Sequence, residues 1–190
     1  MTWLVIGLAL FLGAHSIRIF ADSWRDTAIR QMGAGPWKGL YTLVSFAGFA
    51  LIIVGYGETR GAVPIYVLPH GMSHATFALV WAAFICVTAA YTPHNHIKHL
   101  LHDPMVFGVG LWALGHLLVN ATPGAIILFG GFLVWAAADY LSLRKRAVSG
   151  ATAAPPKTRN TVLVVLVGTV LAGIFAHMLH AVLIGVSPFG

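Results

Sequence analysis

Two histidines stand inside hydrophobic stretches. An ionisable group there is costly, so each is a candidate for function. His15 and Arg18 fall in Gly13-Ala14-His15-Ser16-Ile17-Arg18, within the first apolar run. His116 falls in Leu111-Trp112-Ala113-Leu114-Gly115-His116, within the fourth. A neutral imidazole avoids the cost of burying a charge and offers one nitrogen lone pair, which suits it to iron. With about 1.5 Å of rise per residue and a hydrocarbon core of about 30 Å, His15 lies about 18 Å from the outer face. His116 comes to about 14 Å from that face. The spacing predicts two nearly level imidazoles on different helices, as a haem with two axial histidines requires, and helical bundles build such sites in their cores. The competing reading is that each histidine is a polar residue hydrogen-bonded to a neighbouring helix. Spacing alone leaves both open.

The neighbours fit the haem reading without requiring it. Gly13 and Gly115 lower the bulk beside the histidines, and Trp112 precedes His116 by four residues, on the same helical face. Arg18 follows His15 by three residues and is placed either to pair a propionate or to snorkel to the interface. Asp139, in the fifth run before Arg144-Lys145-Arg146, would either orient a ligand's second ring nitrogen or pair with a basic residue. The other histidines are shallow: His70 and His74 near the outer surface, His177 and His180 near the outer end of the last run. His94, His96, His99 and His102 are expected at the inner surface, where Lys98 and the unspecific spacing argue for interfacial residues rather than a metal site. Cys86, in mid-run, reads as packing, and a single cysteine excludes an internal disulfide.

The elements that must position these residues follow from composition. The chain has 190 residues, 58% hydrophobic and 8% charged. That leaves too little polar surface for a water-soluble globule, in which about 25% of residues are charged. Six apolar runs, roughly 3–20, 39–56, 72–91, 105–121, 124–143 and 161–184, are continuous rather than alternating. They predict an all-α polytopic membrane bundle of about six transmembrane helices, not a barrel. The fourth run is the shortest and is expected to begin near Pro104 and reach Thr122. A short interfacial helix is expected around Ser23–Gln31, within a loop running to Trp37. Asn120 to Gly124 reads as a tight turn joining the fourth and fifth runs. Residues 1–146 form an expected five-helix core, 147–160 a flexible tether rich in Ser, Ala, Pro and Thr, and 161–190 an appended sixth helix.

Charge gives orientation. Ten of the eleven Lys and Arg residues fall on one side of a six-span chain, and Arg60 alone falls on the other. The basic loops are therefore expected in the cytoplasm and both termini outside. The net charge of +6 is then an orientation signal and a contact for anionic lipid, with no need of nucleic acid. The first run lacks a basic segment before it and a small-residue cleavage site after it, so it reads as a retained span.

Several motifs in one order resemble the NnrU family of membrane proteins. They are Gly13-Ala14-His15-Ser16-Ile17-Arg18 with Trp24-Arg25 and Arg30; Trp37-Lys38-Gly39-Leu40-Tyr41; Ala89-Ala90-Tyr91-Thr92-Pro93; Pro104-Met105; Leu111 to Leu118; and Trp135 with Asp139, Ser142 and Arg144. The resemblance covers about residues 1–146. One departure is Asp103, where the family often has His before Pro-Met. The family is similar in turn to plant 15-cis-zeta-carotene isomerases, which implies haem b held by two histidines, here His15 and His116. It implies one of two functions. The first is a bacterial inner-membrane protein with periplasmic termini, supporting nitrite and nitric oxide reduction in denitrification, with a redox partner. The second is a haem-dependent isomerase acting on a hydrophobic polyene in the bilayer. Whether the chain is an enzyme stays open between them, and a structural membrane protein without cofactor is the third class.

Overall fold

The computed structural model describes residues 1–66, 71–146 and 154–189, and every regular element among them is helical. The helices are α1 (Thr2–Phe20), α2 (Asp22–Met32), α3 (Ala34–Gly57), α4 (Met72–Tyr91), α5 (His96–Leu101), α6 (Pro104–Leu117), α7 (Pro123–Arg146) and α8 (Thr158–Ile174). A π-helical turn, Phe175–Leu179, leads from α8 into α9 (His180–Ile184). Five stretches are long and apolar enough to cross a membrane: α1, α3, α4, α7 and the continuous Thr158–Ile184. The sixth, α6, is apolar but has only 14 residues, about 21 Å. Large apolar side chains such as Leu43, Phe46 and Val134 are exposed on the outside of the bundle, as a lipid-facing surface requires. The molecule is a polytopic helical membrane bundle.

Neighbouring helices run in the order α3, α1, α7, α6, α4, α8, so α7 stands between α1 and α6. Lipid offers apolar side chains no reason to associate, so close packing must hold the helices together. Glycine supplies it between α1 and α3. A Cβ on Gly7 would stand 2.6 Å from the Ile52 amide nitrogen, and one on Gly48 would stand 2.7 Å from that of Phe11. Gly55 meets the backbone of Leu4 more closely still. Leu4, Leu8 and Ile52 then join Ala113, Ala125, Leu128 and Phe129 in one core that unites α1, α3, α6 and α7.

Several boundaries differ from the sequence expectation. The second run begins at Ala34 rather than beyond Trp37, because Pro36 sits in the first helical turn, where its missing N–H breaks no bond. The fourth stops at Leu117 rather than Thr122. The amides of Leu118 and Val119 bond back to Gly115 and His116, and the Asn120 side chain donates to the His116 carbonyl at 2.9 Å, closing the helix early. The expected interfacial helix is α2.

The sixth run lies along α4. Gly168 rests on Ile85, where a Cβ would be 2.8 Å from the Ile85 Cα, and Val164 is fully buried among Ile85 and Ala89. Residues 147–153 of the expected tether lie outside the described residues. Its end is tied down, since the Lys157 amide donates to the His94 carbonyl at 2.7 Å and Asn160 donates to that of Pro93 at 2.8 Å. Asn95 organises this corner. Its side chain accepts from the Lys98 amide at 2.8 Å, capping α5, and donates to the Ala89 carbonyl at 3.0 Å.

Candidate functional site

His15 sits five residues before the end of α1, on the side facing α7 and α3. Its Nδ1–H donates to the Phe11 carbonyl at 2.7 Å, and the ring stacks on Phe11 with centroids 4.3 Å apart. Tyr41 of α3 lies at 5.3 Å and Trp135 of α7 meets it edge-on at 6.0 Å. In the neutral ring this carbonyl bond fixes the tautomer and leaves Nε2 with a bare lone pair. Beside the ring lies a cavity of about 420 Å³, lined by His15, Tyr41, Trp135 and Asp139 and by the bases Arg18, Arg25, Lys38 and Arg146. Among the described residues, Trp135 Nε1 and Arg146 Nε have no hydrogen-bond acceptor. This end of the bundle is strongly basic and offers an acceptor-bearing ligand several donors.

Arg18 lines the cavity but is mostly exposed, with Nε 3.7 Å from Asp22. Asp139 pairs with Arg146 at 3.6 Å, so of its two expected roles it takes the ion pair with the basic run at the end of α7. The second nitrogen of neither deep histidine meets Asp139; both are held by backbone carbonyls.

His116 lies in the last turn of α6. Its Nδ1–H donates to the Trp112 carbonyl at 2.9 Å, leaving Nε2 bare as in His15. The ring stacks on Phe129 of α7 at 4.7 Å and lies 5.2 Å from Trp112. A smaller cavity of about 170 Å³ runs between α4 and α6, lined by Ala83, Phe84, Val87, Gly108, Val109 and Trp112.

The structure thus brings His15, Arg18 and Asp139 together at the basic end, and His116 with Trp112 elsewhere. His15 meets Trp135 and His116 meets Phe129, six residues apart on α7, which is about 9 Å along the axis. Between them lies a layer of rings: Phe132 is 5.8 Å from Phe11 and 5.5 Å from Trp112. The expectation of level imidazoles fails because α6 starts deep. The Tyr140 hydroxyl donates to the Leu101 carbonyl just before α6, whereas Arg146, six residues on, reaches the Arg18 carbonyl at the end of α1. Met105 is therefore not at the interface, and a count that starts it there places His116 too near the inner face.

Among the described residues no group of three or more His, Cys, Asp or Glu is placed to hold a metal ion. In the His94–His102 segment, His96 shares a 2.9 Å bond with Thr161, and His102 Nδ1 accepts from Arg144 at 3.0 Å. Cys86 is buried against Gly108. His70 lies outside the described residues. Tyr41, Phe129 and Phe132 are part of the two sites, yet no spacing rule connects them to the histidines, because they come from other helices.

The model of the NnrU family, described as NnrU protein, matches residues 3–188. The match runs through α8 and α9, well beyond Arg146 where the recognisable motifs end. The chain belongs to the NnrU family. No curated protein and no solved structure matches it.

Proposed function

We propose that this member of the NnrU family is a haem b protein of the bacterial inner membrane, supporting nitrite and nitric oxide reduction as a sensor or electron carrier. The observation that carries the haem reading is the state of the two deep imidazoles. Each has Nδ1–H tied to the carbonyl four residues back, and so presents Nε2 bare, the arrangement that orients metal-bound histidine. Bound haem would supply an iron that changes oxidation state and takes small ligands.

The donor chemistry fits haem; the pairing of His15 with His116 on one iron does not fit this geometry, because Phe11, Phe132 and Trp112 fill the space between them. His116 is the ligand retained in this reading, with Trp112 against the ring. The bases at the other end, Arg18 among them, orient the bundle with that end in the cytoplasm and give an anionic ligand or lipid headgroup a place beside His15. The denitrification role rests on the family and not on any residue.

Protein purified in mild detergent after haem supply should show a Soret band, lost or blue-shifted in His116→Ala. Cells lacking the chain should lose nitrite or nitric oxide reduction. A wild type that takes up no haem would sink the cofactor reading.

A further inference from the structure

We propose that the basic cavity beside His15 binds one anionic phospholipid, held by its phosphodiester and by an ester carbonyl. The proposal is independent of the haem reading above. The cavity, of about 420 Å³, is an elongated slot against α7. Trp135, Asp139, Leu143 and Arg146 line it at helical spacing, so its α7 wall is one face about 16 Å long. Arg18 in the last turn of α1, Arg146 at the end of α7, Arg25 of α2 and Lys38 of α3 make it basic. Ala14, Ile17, Val106 and Leu143 give it an apolar side. An occupant that satisfies both is an amphiphile with an anionic head.

Two unmet donors stand at opposite ends of the α7 wall. Arg146 uses Nη1 on the Arg18 carbonyl at 3.2 Å and has Nη2 3.6 Å from Asp139, but its buried Nε has no acceptor. Eleven residues earlier, the buried Trp135 Nε1 has none either. A buried N–H left unmet is costly, so each gains from an oxygen that its side chain can turn to meet. Inorganic phosphate is too small to serve both. A glycerophospholipid carries acceptors at two levels, the phosphate and the ester carbonyls, and its acyl chains suit the apolar side.

Charge selects an anionic lipid over a zwitterionic one. Asp139 is matched by Arg146, and Asp22 and Asp26 lie against Arg18 and Arg25. Lys38 has no carboxylate within 4 Å among the described residues, so the slot keeps a positive charge of its own. The surroundings are those of a headgroup layer. Trp37, in the cavity wall, meets the exposed Trp24 at 5.8 Å, and amphipathic rings of this kind collect at membrane interfaces.

The test titrates phosphatidylglycerol into the delipidated full chain in detergent and follows the melting temperature. Native mass spectrometry counts the lipid retained. The wild type should be stabilised saturably, with one lipid bound. Phosphatidylcholine should act more weakly, and inorganic phosphate and glycerol phosphate should neither stabilise nor compete. Lys38→Gln should weaken binding about fivefold, the weight of one base against an anionic headgroup. Lys145→Gln, with the same loss of charge at the same end of α7 but outside the cavity, should not. Trp135→Phe keeps a ring and removes only the N–H, and should weaken binding with the melting temperature of the lipid-free chain little changed. Equal losses in Lys38→Gln and Lys145→Gln, or no loss in Lys38→Gln, overturn the site. Equal stabilisation by phosphatidylcholine overturns the selection for an anion. Stabilisation or competition by inorganic phosphate overturns the lipid as its occupant.

Discussion

The cavity beside His15 and the slot beside His116 solve different problems within one bundle. The first is polar: Arg18, Arg25, Lys38 and Arg146 surround Asp139 at the end of α7, and Tyr41 and Trp135 add donors. The second is walled by Ala83, Phe84, Val87, Gly108, Val109 and Trp112. The difference follows from position along α7. Near Arg146 the helices leave the apolar layer, so cations are stable there and a cavity can be lined with them. Around Phe129, six residues towards the opposite end of α7, the neighbours of His116 are aromatic and apolar, and a neutral imidazole is the form such surroundings favour. A ring layer, Phe11–Phe132–Trp112, separates the two environments. Two histidines with the same local geometry can therefore serve different ligands: one beside an anion-friendly pocket, the other beside an apolar one.

The severest way to break the comparison is at the seam that places α1. Gly55 lies directly on the Leu4 backbone, so Gly55→Leu has no rotamer that avoids main-chain atoms. It should cost about 3 kcal/mol or more and prevent a monodisperse bundle. Size-exclusion in detergent reads this. A normal elution and melting profile would mean that α1 and α3 are not held together as described.

Phe132→Ala acts on the wall itself. Removing this ring should cost about 3 kcal/mol, since aromatic-to-alanine changes in packed regions leave a cavity. It should also join the two environments. Haem-loaded Phe132→Ala in which His15→Ala now alters the spectrum would show that the ring keeps His15 from the iron. An unaltered spectrum would mean that other contacts do the separating.

The smallest expected effect is at Asp139. Its pair with Arg146 is partly exposed, so Asp139→Asn should lower stability by about 1 kcal/mol, a few degrees in melting temperature. The spectrum of bound haem should not change, because Asp139 lies at the His15 end. A spectral change would tie the basic cavity to the metal centre and collapse the distinction between the two sites.

Much of the architecture was legible. Continuous apolar runs without alternation leave the helix as the one solution in lipid, because every backbone group must bond within its own segment. The short Asn-Ala-Thr-Pro-Gly connection made α6 and α7 an antiparallel pair, and the acidic and basic residues of Ser23–Gln31 marked α2. The starts and stops were less legible. Pro36 read as a loop residue but serves as a helix start, and the early close of α6 depends on an Asn120 side-chain bond.

Local chemistry was settled by the sequence itself. It put histidines at positions 15 and 116, each four residues after a carbonyl that its own helix presents, and it gathered the cations at one end. Relative depth was not settled locally. Whether two residues on different helices are level depends on how far each helix is displaced along its neighbour. That displacement is set by contacts such as Tyr140 with Leu101, Arg146 with Arg18, and Gly168 with Ile85. Each joins residues at least 39 positions apart in sequence, the closest being Tyr140 and Leu101. A periodicity of 3.6 residues says which face a histidine is on, but nothing of the axial offset between helices. Only the packed bundle decided that His15 belongs to the basic cavity, and that His116 stands six residues away from it along α7.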